Sequence, residues 1–147
     1  MSSSGKIVYR DVSFKREEVI DVIRGIVDIT LFSEKPKKLA DFYQKVVGLK
    51  LTGEFVMGDK DEEVYLFEMR QGAGLSIVHH SKVKGKNKLP ERIIFNLEVG
   101  KIKDEVLRVK GKGAKLIQDV YHVEGYGYIA TFQDPDGNFF QLVQIRA

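Results

Sequence analysis

The groups available for chemistry are limited first by the absence of cysteine. Among 147 residues there is none, so a thiolate nucleophile, a disulfide framework and a cysteine-ligated zinc are excluded. Catalysis would have to come from carboxylates, His, Tyr, Lys, hydroxyl groups or a metal on nitrogen and oxygen ligands. The metal option is narrow because the chain has only three histidines, His79, His80 and His122.

One carboxylate stands in a pattern that would aim it at a ligand. Residues 27–32 alternate, with apolar side chains at the odd positions and Asp28, Thr30 and Phe32 at the even positions. This alternation predicts a strand whose second face carries polar groups. We therefore expect Asp28 and Thr30 to face something other than the core.

Composition limits the classes of protein to which the chain can belong. The chain is 43% hydrophobic, and its 24 Lys and Arg against 21 Asp and Glu leave a net charge of +3. A chain of this length forms one domain with a sizeable core, and its weak positive charge permits nucleic-acid binding without implying it. The start of the chain lacks the apolar core of a signal peptide, and no apolar run approaches the roughly 20 residues of a membrane span. A cytoplasmic protein is expected, without membrane or nucleic-acid partners.

The elements that would position these residues occur in a repeated order. In the first half the patterns predict a strand at 27–32, a helix from Pro36 to Gly48, and strands at 51–57, 63–70 and 75–80. In the second half they predict a strand at 92–99, a helix at 102–109, and strands at 114–123, 126–132 and 139–145. Strand, helix and three strands thus occur twice, which indicates an internal duplication.

The domain organisation follows from this repeat. Residues 1–24 form an N-terminal extension, with a possible strand at 7–9 and a helical pattern that includes Val19, Ile20, Val22 and Ile23. Module one spans 25–80, a basic linker ending in Pro90 spans 81–90, and module two spans 91–147. The lysines of the linker have no interleaved aromatic residues, so they make a poor nucleic-acid site.

Both ends of the duplicated region resemble the vicinal oxygen chelate superfamily. The segments IVDITLFS (26–33) and LADFYQKVVGL (39–49) resemble its opening strand and helix, and FQDPDGNFFQL (132–142) resembles its closing hairpin. The superfamily includes glyoxalase I, fosfomycin and bleomycin resistance proteins, methylmalonyl-CoA epimerase and extradiol dioxygenases. The resemblance covers about residues 25–146. It implies an α+β fold in which two βαβββ modules form an incomplete barrel around a cavity, commonly in a homodimer.

The resemblance also implies a divalent metal held by the first and last strands of each module. Carried over residue by residue, its four positions fall on Asp28, Ser76, Arg92 and Gln141. Asp28 can ligate a hard cation, Ser76 and Gln141 are weak neutral ligands, and Arg92 has no lone pair to give. We therefore expect no metal cofactor. Arg92 would pair with Asp28 or bind a ligand carboxylate or phosphate, or else extend into solvent.

Two other side chains extend the candidate site. His80 has the strand parity of Ser76, so a displaced metal site of Asp28, His80 and Gln141 is the alternative. Tyr126, in a loop rich in Gly and Tyr, would close over a ligand or pack in the core. The expected ligand-binding residues are Asp28, Thr30, Ser76, Arg92, Gln141 and Tyr126.

Two functions remain open. One is a binding protein of the bleomycin-resistance kind, holding a small anionic molecule in the cavity without the usual metal. The alternative is a metal-dependent lyase, isomerase or dioxygenase with an atypical ligand set, so whether the protein is an enzyme is undecided.

Overall fold

The computed structural model of the chain describes residues 4–6 and 22–145, which form two mixed β-sheets and two helices. The elements are β1 (Ser4–Lys6), β2 (Asp28–Ser33), α1 (Pro36–Asp41), β3 (Lys50–Met57), β4 (Glu62–Glu68), β5 (Gly74–His79), β6 (Phe95–Glu98), α2 (Ile102–Gly111), β7 (Lys115–Glu124), β8 (Gly127–Gln133) and β9 (Phe139–Ile145). The predicted α+β fold is confirmed, and the two sheets do not close on each other.

The two sheets share one strand order. The first sheet runs β2-β5-β4-β3, with β2 parallel to β5 and the other neighbours antiparallel. In the second sheet β6 is parallel to β9, and β8 and β7 follow with antiparallel pairing. The predicted repeat of strand, helix and three strands is therefore present in space as well as in sequence.

The first helix departs from the single regular helix predicted from the pattern. Pro36 begins α1, where its missing N–H costs nothing, but after Asp41 the chain continues as a π-helical segment over Phe42–Val47. Gly48 then ends the segment in a left-handed conformation with φ 94°. The wider turn leaves both Tyr43 and Val47 buried.

The strand β6 begins three residues later than the pattern predicts. Pro90 starts a short 3₁₀ turn, Pro90–Arg92, in which the Arg92 N–H donates to the Leu89 carbonyl at 3.1 Å. Proline favours such a turn because its ring fixes φ near −65°. Arg92 therefore lies ahead of the strand and not in it.

The N-terminal extension contributes one strand to the second sheet. The backbone of β1 pairs in parallel with β7, with Ser4 opposite His122. The strand predicted at 7–9 lies outside the described residues. So does the predicted helical pattern, except for Val22 and Ile23, which lie in a turn.

One hydrophobic core serves both halves of the chain. It combines side chains from both helices and one face of each sheet, including Tyr43, Phe67, Ile77, Ile102, Val109, Phe132, Phe140 and Leu142. The ring of Tyr43, from the first half, lies 5.6 Å from that of Phe140 in the second half. Because both sheets turn their apolar faces to this shared core, their other faces point away from it and away from each other. We call these the outer faces.

Polar contacts join the halves as well. The Tyr43 hydroxyl donates to Asp134 Oδ2 at 2.6 Å, inside the turn between β8 and β9. Arg108 of α2 donates to the Val47 carbonyl at 2.7 Å. Such charge-assisted hydrogen bonds add directional constraint to the apolar packing. No helix in the described part of the chain is long and apolar enough to span a membrane.

Candidate functional site

Polar side chains meet on the outer face of the first sheet, where β2 runs beside β5. The register places Asp28 opposite Gly74 and Thr30 opposite Ser76. Residues directly opposite in neighbouring strands share a face, so Asp28, Thr30 and Ser76 lie together. Their neighbours in sequence, such as Ile29 and Leu75, pack in the core.

A hydrogen-bond chain connects the three side chains. The Ser76 hydroxyl donates to Asp28 Oδ2 at 2.9 Å, and the Thr30 and Ser76 hydroxyl oxygens lie 2.8 Å apart. Because Ser76 has only one proton and gives it to Asp28, Thr30 must be the donor to Ser76. Ser76 is buried, while Asp28 and Thr30 are exposed. We call this arrangement the relay: Thr30 to Ser76 to Asp28.

Gly74 leaves space beside the relay. A Cβ at this position would stand 3.0 Å from the Phe67 carbonyl oxygen and 3.8 Å from Asp28 Cβ. A larger residue would therefore push against the backbone of β4 and crowd the carboxylate. Glycine keeps the Asp28 side chain accessible from the side of β5.

An apolar row crosses the same face two residues along the strands. Register pairs place Phe32 beside Val78, Val78 beside Val64, and Val64 beside Phe55. The two valines are buried and the two phenylalanines, at opposite edges of the sheet, are each 47% exposed. The row is thus a shallow trough with a valine floor and aromatic ends.

The second sheet has a smaller polar group at the corresponding place. Gln141 of β9 lies opposite Asn96 of β6 and Thr131 of β8, and its Nε2 donates to Thr131 Oγ1 at 3.0 Å. The parallel pair β6–β9 in the second sheet corresponds to the pair β2–β5 in the first. Gln141 then corresponds to Ser76, and Asn96 to Thr30. Gln141 is a predicted site residue, but it lies on the other sheet from the relay and its outer face points elsewhere.

Arg92 and Tyr126 lie apart from the relay. Arg92 is exposed in its 3₁₀ turn, and its side chain makes no hydrogen bond or ion pair with the described residues. Tyr126 is half-buried in the turn between β7 and β8, where its N–H donates to the Val123 carbonyl at 3.0 Å. Neither residue contacts Asp28.

The histidines have separate structural partners. The His80 ring packs edge-on against Phe32 with centroids 5.2 Å apart, and its Nδ1 accepts the Lys82 N–H at 3.0 Å. His79 Nδ1 lies 3.5 Å from a carboxylate oxygen of Glu62. The His122 ring lies 4.9 Å from that of Tyr128. Each histidine therefore has a local partner outside the relay.

The donor groups do not fit the metal site that the resemblance implies. Divalent transition metals in such a site need several anionic or imidazole ligands. The relay offers one carboxylate, already bonded to Ser76, and the second sheet offers only the amides of Asn96 and Gln141 and a hydroxyl. Nowhere in the described ranges do three or more His, Asp or Glu side chains cluster.

A separate cleft of about 820 Å³ lies between β6 and the turn that joins β4 to β5. Its lining combines apolar side chains, such as Ile29, Leu75 and Leu97, with the polar side chains of Arg70, Gln71, Asn96 and Glu98. None of the three relay residues lines it. The cleft therefore adds no chemical group to the relay.

Some site residues were not among those predicted from the sequence. Gly74, Val78 and Phe55 belong to the outer face of the first sheet, and Thr131 is the partner of Gln141. Alternation of apolar and polar residues within a strand predicts which side chains share a face of the sheet. Only the register between strands shows which of those side chains are neighbours.

Most of the chain matches a known family model. The model of the Glyoxalase/Bleomycin resistance protein/Dioxygenase superfamily matches residues 25–142. Among curated proteins, none matches the sequence of this chain.

Solved structures share the fold at low identity. Glyoxalase I from Leishmania major superposes with a TM-score of 0.68 at 14% identity, covering 83% of this chain and 87% of its own. TnmS3, an antibiotic binding protein from Streptomyces sp. CB03234, has a TM-score of 0.64 at 21% identity, covering 84% and 98%. The fosfomycin resistance protein FosX from Listeria monocytogenes has a TM-score of 0.65 at 20% identity, covering 83% and 94%.

Proposed function

The chain belongs to the Glyoxalase/Bleomycin resistance protein/Dioxygenase superfamily, and we propose that it binds a small molecule on the outer face of the first sheet without the superfamily's usual metal site. The relay is the observation that carries this proposal. It combines an exposed carboxylate with a buried, oriented hydroxyl beside an apolar trough. Ligand sites typically have this combination of apolar surface and a few positioned polar groups.

The binding cavity requires a second copy of the chain in this proposal. The two outer faces point away from the shared core, so they cannot enclose a ligand within one chain. A homodimer would place the second sheet of one copy over the first sheet of the other. Exposed apolar residues beside the edge strands support this contact: Ile26 and Val27 precede β2, and Ile93 precedes β6.

The sequence predicts an anionic ligand because the resemblance assigns Arg92 to a metal-ligand position. Arg92 lies in an exposed turn apart from Asp28, so binding of a carboxylate or phosphate by Arg92 stays a prediction that is separate from binding at the relay. If Arg92 holds an anionic ligand, Arg92→Ala abolishes its binding. Unchanged binding would remove Arg92 from the site.

A thermal-shift screen tests the proposed site. We expect at least one small molecule to raise the melting temperature of the wild type, and Asp28→Ala and Ser76→Ala to abolish that rise. Glu54→Ala is the matched control, because Glu54 lies on the same sheet and its register partner Tyr65 packs in the core. A ligand whose effect survives both relay substitutions would contradict the assignment.

Metal analysis separates this proposal from the metal-dependent alternative. The purified protein is offered Ni, Co, Mn, Fe and Zn, and we expect no stoichiometric uptake. Stoichiometric metal that is lost in Asp28→Ala or Gln141→Ala would instead support a lyase, isomerase or dioxygenase with an atypical ligand set.

A further inference from the structure

We propose that the ligand of the first sheet carries a protonated nitrogen, such as an ammonium or amidinium group, on an apolar body. The nitrogen binds Asp28 and the body lies in the trough between Phe32 and Phe55. This inference rests on the proposed function and specifies the chemical class that its site selects.

The relay offers a ligand acceptors and no donors. Ser76 gives its only proton to Asp28, and Thr30 gives its only proton to Ser76. Asp28 Oδ1 has no hydrogen-bond partner among the described residues. A ligand group at this point must therefore donate, and a donor that is also cationic makes the stronger, charge-assisted bond.

The charge within the relay favours the same sign of ligand. Asp28 is the one charged side chain in this hydrogen-bond chain. Elsewhere on the outer face, Glu68 stands opposite Lys50, and Glu62 lies beside His79 at the far end of β4. An anionic group beside Asp28 would meet repulsion, whereas a cation would be attracted.

The trough supplies the apolar part of the site. Val64 and Val78 form its floor, and Phe32 and Phe55 stand half-exposed at its two ends. Leu66, opposite Ser76, joins the floor to the relay. Gly53 is opposite Leu66 and adds no side chain to the surface between the relay and the trough. A Cβ there would stand 3.1 Å from Leu66 Cδ1.

Strand geometry sets the length of the ligand. Asp28 and Phe32 are four residues apart on β2, which corresponds to about 13 Å at roughly 3.3 Å per residue. The trough crosses four strands and is therefore about 14 Å wide at roughly 4.8 Å per strand spacing. A ring in the trough and a nitrogen at Asp28 are thus separated by a linker of several carbons.

Three matched probes test the inference by calorimetry at low salt. They are 6-phenylhexylamine, 6-phenylhexanol and 7-phenylheptanoate, which share a phenylhexyl body and differ only in the head group. We expect the amine to bind at least tenfold more tightly than the alcohol, and the carboxylate to bind more weakly than either. Added salt should weaken binding of the amine and leave the alcohol nearly unchanged.

Paired variants assign the two parts of the site. Asp28→Asn keeps the shape of the side chain and should weaken amine binding at least tenfold. Glu54→Gln should leave amine binding unchanged, because the register partner of Glu54 packs in the core.

Phe55→Ala tests the trough and should weaken binding of all three probes by a similar factor. Its control is Val56→Ala, since Val56 is the next residue, is also exposed and faces the other way. Circular dichroism checks that each variant is folded.

Two results would overturn the inference. One is equal or tighter binding of the alcohol or carboxylate, with Asp28→Asn having no effect. In that case sensitivity to Phe55→Ala would still support ligand binding on this face, so the proposed function would survive. The other is failure of the amine to bind at millimolar concentration. The proposed function is then decided separately by the thermal-shift screen.

Discussion

Ser76 is a weak metal ligand, but its position lets it connect two polar side chains by hydrogen bonds. Its hydroxyl is buried between Thr30 and Asp28 and satisfies both of them. Removing it would leave the Thr30 hydroxyl without its acceptor and Asp28 without its donor. Both partners are exposed, so water can replace part of what is lost.

A hydrogen bond to a charged group contributes about 1.5–3 kcal/mol. Because water replaces part of it at the exposed partners, Ser76→Ala is expected to lower the free energy of unfolding by about 1–2 kcal/mol. Urea denaturation measures this change. Ser81→Ala, in the exposed segment after β5, is the control and should change stability by less than about 0.5 kcal/mol. Equal losses in the two variants would show that the relay contributes nothing to stability.

Asp134 provides a second residue-scale feature, in the turn that closes the β8–β9 hairpin. Its carboxylate accepts hydrogen bonds from Tyr43, from the Asp136 N–H at 2.9 Å, and from the Asn138 backbone and side chain. Burial is the largest influence on this group and raises the pKa of Asp134 above its usual value of 3.8.

The raised pKa of Asp134 predicts the direction of a pH effect. The folded state takes up a proton at higher pH than the unfolded state, so this contribution to stability is complete below pH 3.8 and is lost as pH rises through the folded-state pKa. The stability of the wild type relative to Asp134→Asn should therefore fall as pH rises over this acidic range. Asp136→Asn controls for the loss of one charge in the same turn. A difference that stays constant or grows with pH would contradict the prediction.

At the scale of elements, the pairing of β8 with β9 determines which face Gln141 occupies. A slip of β9 by one residue would turn Gln141 into the core and Phe140 outward, and would separate Gln141 from Thr131. Gly127 helps hold this register at the end of the hairpin. Its φ is 141°, and a Cβ there would overlap the Gln144 carbonyl oxygen and come within 3.0 Å of Ile145 Cα.

Gly127→Ala should lower the free energy of unfolding by roughly 3 kcal/mol or more, because the added carbon meets backbone atoms that cannot move without breaking the β8–β9 ladder. Gly58→Ala is the matched control. It also has a positive φ, of 76°, but nothing lies within 4 Å of its Cβ position, so a loss of about 1 kcal/mol is expected. Thermal unfolding monitored by circular dichroism compares the two, and similar losses would show that the contact with β9 is not the cause.

At the scale of the whole molecule, the shared core decides how a ligand cavity can form. Both helices and the inner faces of both sheets pack together, so each outer face needs a cover from elsewhere. A second copy of the chain supplies it in the proposed function. Val27, 87% exposed beside the edge strand β2, would be covered by such a contact.

Val27→Glu should convert a dimer into a monomer, since a buried unpaired carboxylate at the interface costs several kcal/mol. Light scattering after size-exclusion chromatography at micromolar concentration measures the mass. Leu107→Glu is the control, because Leu107 is 71% exposed on α2, away from both edge strands β2 and β6, and its substitution should leave the mass unchanged. A monomeric wild type would refute the dimeric cavity.

Local patterns were sufficient to predict most of the elements. Alternation at 27–32 predicted β2 and the exposed face that holds Asp28 and Thr30, and the turn residues Asp134–Asn138 predicted the β8–β9 hairpin. The repeat of strand, helix and three strands, with the two end motifs, predicted the superfamily. These features depend on backbone preferences and side-chain periods over a few residues, which a sequence displays directly.

Tertiary structure alone decided which residues meet. Pairing of β2 with β5 brings Ser76 to Asp28 from 48 positions away, and packing of both sheets on one shared core turns the outer faces apart. The 3₁₀ turn at Pro90 takes Arg92 out of the strand where the repeat had placed it. Sequence spacing carries no information on register between distant strands or on how two modules pack. Those depend on the sum of many contacts across the whole molecule.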